Sequence, residues 1–148
     1  MHYVSNNNES EHLMNVEQTL SIIKPNAVKQ GHIGEIITML EQNDLQIKQM
    51  YMLKLSKEKA TEFYAEHVGK GFFDELMGFM TSGEIVVLML EGEDAILRYR
   101  NLMGATNPNN AEEGTIRAKF GSKEDLSQNA VHGSDCVASA KRELALFF

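Results

Sequence analysis

The feature that most limits how this chain can fold is a run of six apolar residues, Ile85 to Leu90 (IVVLML). The run has the length of a strand, and an unbroken apolar run of this length is typical of a buried strand rather than of a sheet edge. We therefore predict a central strand here, with the rest of a sheet built around it.

The spacing of apolar residues predicts the other elements. Thr19 to Lys24 reads as a strand that Pro25 stops, and Leu45 to Leu55 alternates like a half-buried strand. A short strand is predicted at residues 129–132, after a long, polar and turn-rich loop at 104–126 of the kind that is usually functional. Helical spacing predicts helices at 33–40, from the capping Ser56 to Gly69, at 72–80, at 94–103 and at 135–146.

The resulting order, β-α-β-α-α-β-α-loop-β-α, predicts an α/β (α+β) protein. The architecture that fits best is a ferredoxin-like sandwich, a four-stranded antiparallel sheet with helices packed around it. A doubly wound parallel sheet is the alternative, which the short last strand disfavours. We expect one domain, 16–148, behind residues 1–15, whose Asn-, Glu- and Ser-rich composition predicts a disordered arm or a cloning remnant.

Charge and composition exclude several classes of partner. The net charge of −7 argues against general nucleic-acid binding, so any phosphate site must be a local cluster of cations. No apolar run reaches the roughly 20 residues of a membrane-spanning helix, so we expect no membrane association. The single cysteine, Cys136, cannot form an internal disulfide, which predicts a cytoplasmic protein.

The segment Asn129 to Asp135 (NAVHGSD) is the strongest candidate for chemistry. His132 would end a strand directly before a helix, where free backbone N–H groups favour anions. A lone histidine is more often a surface or core residue. However, Glu143 on the following helix can orient the imidazole, and three cations can converge on it, namely Lys24, Arg100 and Arg117.

Five blocks of the sequence resemble the nucleoside diphosphate kinase family. They are SIIKPNAV, FMTSG, MGATNP, GTIRAKF and NAVHGSD, and they occur in the family's order between Thr19 and Phe148. The resemblance implies a ferredoxin-like core and a ping-pong reaction. In that reaction the neutral imidazole of His132 takes the γ-phosphate of a nucleoside triphosphate and passes it to a nucleoside diphosphate, with Mg²⁺ bridging the substrate phosphates. It also implies ATP and other nucleotides as partners, and a homo-oligomer, either tetramer or hexamer.

The resemblance also implies roles for individual residues. Lys24, Arg100, Arg117 and Thr106 would hold phosphate oxygens, Asn129 the ribose, and Phe72 with Leu76 the base, so that stacking leaves the base specificity broad. Tyr64 would support the lysine and the histidine, Glu143 would orient His132, and Ser134 would lie beside it. No protein side chain would bind the metal directly. From the residues alone, Phe72, Leu76 and Tyr64 also fit core positions, Arg100 a solvated charge and Thr106 a turn.

Four positions depart from the common pattern of the family. Asn26 and Lys119 stand where Asp is usual, and Gly71 and Glu84 stand where Pro is usual. None of the four removes a catalytic group.

Two other hypotheses use the same fold. An RNA-recognition domain would need a basic sheet face with exposed aromatic residues, and the net charge opposes it. An inactive family member serving as a scaffold is disfavoured because His132, the three cations and Glu143 are all retained.

Overall fold

The computed structural model describes residues 15–148, so the predicted arm, apart from Asn15, lies outside the described residues. Four strands form one antiparallel sheet in the order β2-β3-β1-β4. Their bounds are β1 Val16–Ile23, β2 Gln46–Lys54, β3 Glu84–Glu93 and β4 Val131–Gly133. The predicted ferredoxin-like sheet is thereby confirmed, and the parallel alternative is wrong.

Seven α-helices of the described chain pack around this sheet. They are α1 Pro25–Lys29, α2 Ile33–Gln42, α3 Lys57–Phe63, α4 Phe73–Met80, α5 Ala95–Met103, α6 Ile116–Phe120 and α7 Val137–Phe147. Alternate residues of the central strands divide between two apolar clusters, Val86 and Leu88 in one and Ile85 and Val87 in the other. One cluster includes residues of α2, α5 and α6, the other residues of α3, α4 and α7, so helices cover both faces of the sheet.

The pairing of β1 with β4 places the candidate residues together. Ile22 lies opposite His132 and Ile23 opposite Val131. One residue further on, the backbone N–H of Lys24 donates to the carbonyl of Ala130 at 2.8 Å. The first cation of the predicted site and the histidine therefore meet at one end of the sheet.

Several predicted boundaries are wrong for identifiable reasons. Pro25 does not only stop β1: it is the first residue of α1, where its missing N–H and fixed φ cost nothing. The helix after Ser56 ends at Phe63 and continues as a 3-10 turn, Ala65–His67. The long loop contains a second 3-10 turn, Pro108–Asn110, and the short helix α6.

The last helix starts two residues later than predicted, at Val137. Ser134 is not free to cap it, because its hydroxyl donates to Glu143 and accepts from the backbone N–H of Leu20. Cys136, in an extended conformation, takes the N-cap position, but its thiol pairs with Ser139 Oγ at 3.3 Å and does not cap a backbone N–H of the first turn.

Among the helices of the described chain, none has both the length and the apolar character needed to cross a membrane.

Candidate active site

The residue that precedes β4, the strand that carries His132, has an unusual backbone conformation. Ala130 has φ of +73° although it carries a Cβ, a conformation that persists only where surrounding structure enforces it. Gly133, which follows the histidine, is the last residue of β4. A Cβ at this position would lie 2.6 Å from Met103 Cε and 2.8 Å from the Tyr99 ring, so any other residue would force these side chains to shift.

The imidazole of His132 is held from two sides. Its Nε2 lies 2.9 Å from Glu143 Oε1, and the Phe63 ring packs edge-on at a centroid distance of 5.0 Å. Glu143 Oε1 also accepts a hydrogen bond from Ser134 Oγ at 2.8 Å. About a fifth of the histidine side chain remains exposed (21%), so the ring is oriented but still accessible.

The charges around the pair determine the tautomer of His132. Burial lowers the pKa of His132, Glu143 opposes this effect, and nearby Lys24 and Arg117 reinforce it. Burial alone would raise the pKa of Glu143, but hydrogen bonds from His132 and Ser134 and the charge of Arg142 lower it. The favoured state is therefore a neutral imidazole against an ionised carboxylate. Because a carboxylate only accepts, Nε2 carries the proton and the lone pair lies on Nδ1.

Lys24 lies at the end of β1 and is almost entirely buried. Its Nζ donates to Asn129 Oδ1 at 2.8 Å, and the amide nitrogen of Asn129 donates to the carbonyl of Thr106 at 2.9 Å. Burial, and then the charge of Arg117, lower the pKa of Lys24 to about 7. An anion bound beside this ammonium would restore its charge.

Arg117 is positioned by α6, which Thr115 caps by accepting from the N–H of Ala118. Its guanidinium donates to the carbonyls of Gly104 at 3.1 Å and Val131 at 2.9 Å. Burial lowers its pKa, and Nε has no hydrogen-bond partner among residues 15–148. This buried cation has donor capacity left for a ligand.

Arg100 approaches from α5 and pairs with Asp135 at 2.7 Å. Both side chains are substantially exposed, at 43% and 79%, so the pair contributes little to stability. A phosphate can therefore take the place of the Asp135 carboxylate.

These groups line a cleft of about 270 Å³. Eight of the predicted site residues line it: Lys24, Tyr64, Arg100, Thr106, Arg117, Asn129, His132 and Glu143. Tyr64 Oη is buried without a hydrogen-bond partner in the described part of the chain. A larger hollow of about 480 Å³ lies between α1 and Ser82, but its lining offers no imidazole and only one cation, Lys29.

Three predicted residues lie outside the cleft lining. Ser134 is buried behind Glu143. Phe72 is half exposed at the rim, its ring 5.3 Å from that of His67. Leu76 packs against the apolar cluster shared by α3, α4 and α7, so without a ligand it behaves as a core residue.

The cleft is also lined by residues that the sequence motifs do not mark as candidates, among them His67, Asp135 and Arg142. His67 follows Tyr64 by three positions, a spacing that would have placed it on the same helical face. No sequence signal would have found Asp135, which resembles a helix cap, or Arg142, which resembles a surface charge.

The four departures from the family pattern have different surroundings. Asn26 donates Nδ2 to the carbonyl of Gln128 at 2.9 Å, a bond that an aspartate would not make. Lys119 Nζ lies 5.7 Å from the centroid of the Phe120 ring. Glu84 is exposed at the start of β3, and nothing in the structure explains Gly71.

An edge strand that presents an oriented, neutral histidine to buried cations fits the class of enzymes that transfer phosphate groups. The chain belongs to the nucleoside diphosphate kinase family, whose family model matches residues 17–148. Its activity is accordingly the transfer of a terminal phosphate from a nucleoside triphosphate to a nucleoside diphosphate.

Three relatives agree with this assignment. The chain is 54% identical over 135 residues to a nucleoside diphosphate kinase of Bdellovibrio bacteriovorus, covering 91% of this chain and 94% of the relative. It is 43% identical to the solved enzyme of Aquifex aeolicus, with a TM-score of 0.87, covering 90% and 96% of the two chains. It is also 43% identical to that of Halobacterium salinarum in complex with CDP, with a TM-score of 0.86, covering 90% and 88%.

Proposed function

We propose that this kinase works by a ping-pong mechanism through a phosphohistidine at His132. The observation that carries the proposal is the hydrogen bond between His132 Nε2 and the Glu143 carboxylate, because it leaves the Nδ1 lone pair free. That nitrogen belongs to a ring in a cleft lined by Lys24 and Arg117. A neutral, oriented nucleophile among cations is what phosphoryl transfer requires.

Each half-reaction exchanges one bond for another. The Nδ1 lone pair attacks the γ-phosphorus, the bond from phosphorus to the bridging oxygen breaks, and its electron pair leaves with the nucleoside diphosphate. In the second half, a terminal phosphate oxygen of an acceptor diphosphate attacks the same phosphorus, and the electron pair of the N–P bond returns to Nδ1. Lys24, Arg100 and Arg117 are proposed to stabilise the charge on the phosphate oxygens in both halves.

We assign the remaining cleft residues to the nucleotide. Phe72 at the rim offers a ring face to any base, and Leu76 would line the same slot once the base is bound. This arrangement supports broad tolerance of base and sugar. Thr106 would contact a phosphate and Asn129 the ribose. Tyr64, whose buried hydroxyl has no hydrogen-bond partner among residues 15–148, would support Lys24 and His132.

The cofactor we propose is Mg²⁺ that enters with the substrate. Among residues 15–148 there is no group of three or more His, Cys, Asp or Glu side chains that could hold a metal ion. Phosphate oxygens are ligands that Mg²⁺ prefers, so we place the cation on the substrate. Mg²⁺ would neutralise part of the phosphate charge. Lys24 and the two arginines would orient the oxygens.

We further propose that 16–148 is one domain of a cytoplasmic homo-oligomer, tetrameric or hexameric and built from a dimer. The exposed thiol of Cys136 suits a reducing compartment. Strand β2 is an edge of the sheet, yet Met50, Tyr51 and Met52 are 39–48% exposed on it. A second copy pairing antiparallel along the same strand would cover these side chains and continue the sheet. An RNA partner is disfavoured by the net charge of −7.

The mechanism is tested by labelling with γ-³²P-ATP followed by acid. We expect the wild-type chain to acquire label that acid removes, because the N–P bond of phosphohistidine is acid-labile. His132→Ala should remain unlabelled while keeping the fold. His67→Ala, which removes the other imidazole of the cleft, is the matched control and should still be labelled.

Two outcomes would reject the mechanism. Label that survives acid would place the phosphate on another residue. A wild-type chain that acquires no label and transfers no phosphate would support the scaffold hypothesis.

A further inference from the structure

Arg142 precedes Glu143 on α7, and its guanidinium crosses to the neighbouring helix α3. Nη2 donates to the carbonyl of Phe63 at 3.0 Å, and Nη1 lies 3.5 Å from the carbonyl of Glu62. These are the last two residues of α3. Because the last carbonyls of a helix lack intrahelical partners and carry the negative end of its dipole, a guanidinium is well matched to them.

The contact joins two helices, α7 and α3, that lead to different parts of the cleft. On α7, the next residue is Glu143, which orients His132. After α3, the chain runs through a series of backbone hydrogen bonds, from His67 N to Tyr64 O at 2.8 Å and from Lys70 N to His67 O at 3.0 Å. Phe72, at the rim of the cleft, follows two residues after Lys70. Arg142 thus connects the helix behind the histidine to the segment that carries the exposed aromatic ring.

We infer that Arg142 is a positioning residue that holds the segment 64–72 in place for the nucleoside part of the substrate. The inference rests on the proposed contact of Phe72 with the base. It assigns the guanidinium to protein carbonyls, not to phosphate, although Arg142 also lines the cleft.

The contact is separable from the fold. Beneath it, α3 and α7 are joined by apolar packing, with the rings of Phe63 and Phe147 5.6 Å apart and Ala60 and Leu144 buried beside them. Arg142 itself is exposed. Replacing it should leave this packing intact and change only how firmly the end of α3 is held.

The test compares Arg142→Lys with Lys141→Met on the full chain. Arg142→Lys keeps the positive charge, but one ammonium cannot match two carbonyls as a guanidinium does. Lys141 is exposed on the same helix and lines a different groove, so Lys141→Met removes a charge without touching α3. Dissociation constants for ADP and for inorganic pyrophosphate are measured by calorimetry, and KM and kcat by steady-state kinetics.

For Arg142→Lys we expect ADP to bind about tenfold more weakly, the order of one charge-assisted hydrogen bond. Pyrophosphate, which lacks a nucleoside, should bind as it does to the wild type. KM should rise with the ADP dissociation constant while kcat at saturation stays nearly constant. Lys141→Met should match the wild type in every measurement.

Three results would overturn the inference. Equal weakening of ADP and pyrophosphate would make Arg142 a phosphate ligand. Unchanged ADP binding would remove the positioning role. A lower kcat with unchanged KM would show that Arg142 acts through Glu143. Failure of the ping-pong mechanism is distinguishable, because it would appear as absent phosphohistidine in the wild type, whereas the binding measurements need no transfer.

Discussion

The hydrogen bond between Glu143 and His132 controls two properties of the imidazole, its tautomer and its pKa. The carboxylate fixes the proton on Nε2 and partly offsets the effect of burial and of the neighbouring cations on the pKa. In the proposed mechanism Lys24 has the opposite requirement, since it would have to be charged to hold a phosphate, while burial favours its neutral form. His132 would therefore set the lower limit, and Lys24 the upper limit, of the pH range in which the free enzyme is active.

We predict a bell-shaped pH profile of kcat/KM. The acid limb should lie below pH 6.5, because His132 must be neutral to attack and its pKa is lowered. The alkaline limb should begin at a pH of about 7, where free Lys24 loses its proton. The profile of kcat should extend to higher pH, because bound phosphate keeps Lys24 charged. An acid limb above 6.5 would contradict the proposed state of the pair.

The variant Glu143→Gln tests whether Glu143 sets the pKa and the tautomer of His132. Losing the carboxylate removes the two effects that raise the pKa of His132, so the acid limb should move to lower pH. The rate at the optimum should nevertheless fall about 100-fold, because an amide can donate to Nε2 and hold the wrong tautomer. An unchanged rate would mean that Glu143 does not orient the ring.

A substitution at Gly133 should change the stability of the fold. Gly133→Ala places a Cβ against Tyr99 and Met103, and we expect it to lower the free energy of unfolding by about 1–3 kcal/mol. Gly78→Ala is the matched control: it lies in α4, has nothing within 4 Å of the added Cβ, and should be neutral or stabilising. Urea denaturation followed by circular dichroism measures both. Equal stability of the two variants would contradict the packing described around β4.

At the scale of elements, the short helix α6 shows how a cap supports the site. Thr115 Oγ1 accepts from the N–H of Ala118 and donates to the carbonyl of Glu112. The helix carries Arg117, so its first turn helps to hold the guanidinium against Gly104 and Val131.

We predict that Thr115→Ala lowers the free energy of unfolding by about 1 kcal/mol and raises KM for ATP. Thr115→Ser retains the capping hydroxyl and should differ from the wild type by only a few tenths of a kcal/mol. Thermal or urea unfolding and steady-state kinetics test this pair. If both variants behaved alike, the hydroxyl would not be the part of Thr115 that matters.

How well each element could be predicted depended on its length. The apolar run from Ile85 to Leu90 and the apolar–polar alternation from Leu45 to Leu55 are long enough for a pattern to be recognised. Strands β3 and β2 form there, as predicted. Helices α1 and α6 have five residues each, below the window of about 11 residues in which a helical period is visible, and both were missed.

The site was predictable in part. The family motifs marked the side chains that now line the cleft around His132. They could not indicate that Arg100 pairs with Asp135, or that Arg142 reaches α3, because those contacts join residues 35 and 79 positions apart. Such contacts depend on how α5 and α7 pack on the sheet, which local periodicity does not encode.

At the scale of the whole molecule, the β2 edge leads to a prediction about assembly. Met50 and Met52 lie opposite Leu88 and Val86, residues of the apolar cluster that includes α2, yet remain 46–48% exposed. Unpaired backbone groups beside exposed apolar side chains favour association.

We predict that the double substitution Met50→Lys, Met52→Lys reduces the sedimentation coefficient towards that of a monomer, because like charges would face each other across a two-fold axis. Leu126→Lys, at an apolar residue 44% exposed outside the sheet, is the matched control and should leave the assembly unchanged. Identical sedimentation of the wild type and the double variant would exclude β2 as the dimer contact.

The carboxylate behind His132 also has a consequence for the chemistry of the phosphorylated enzyme. With the far ring nitrogen, Nε2, occupied by Glu143, the bond to phosphorus that we propose would form at Nδ1, the nitrogen nearest the backbone. In the proposed mechanism the intermediate would then be a single regioisomer of phosphohistidine, and the proton left on the opposite side of the ring would keep the imidazole a good leaving group for the next acceptor.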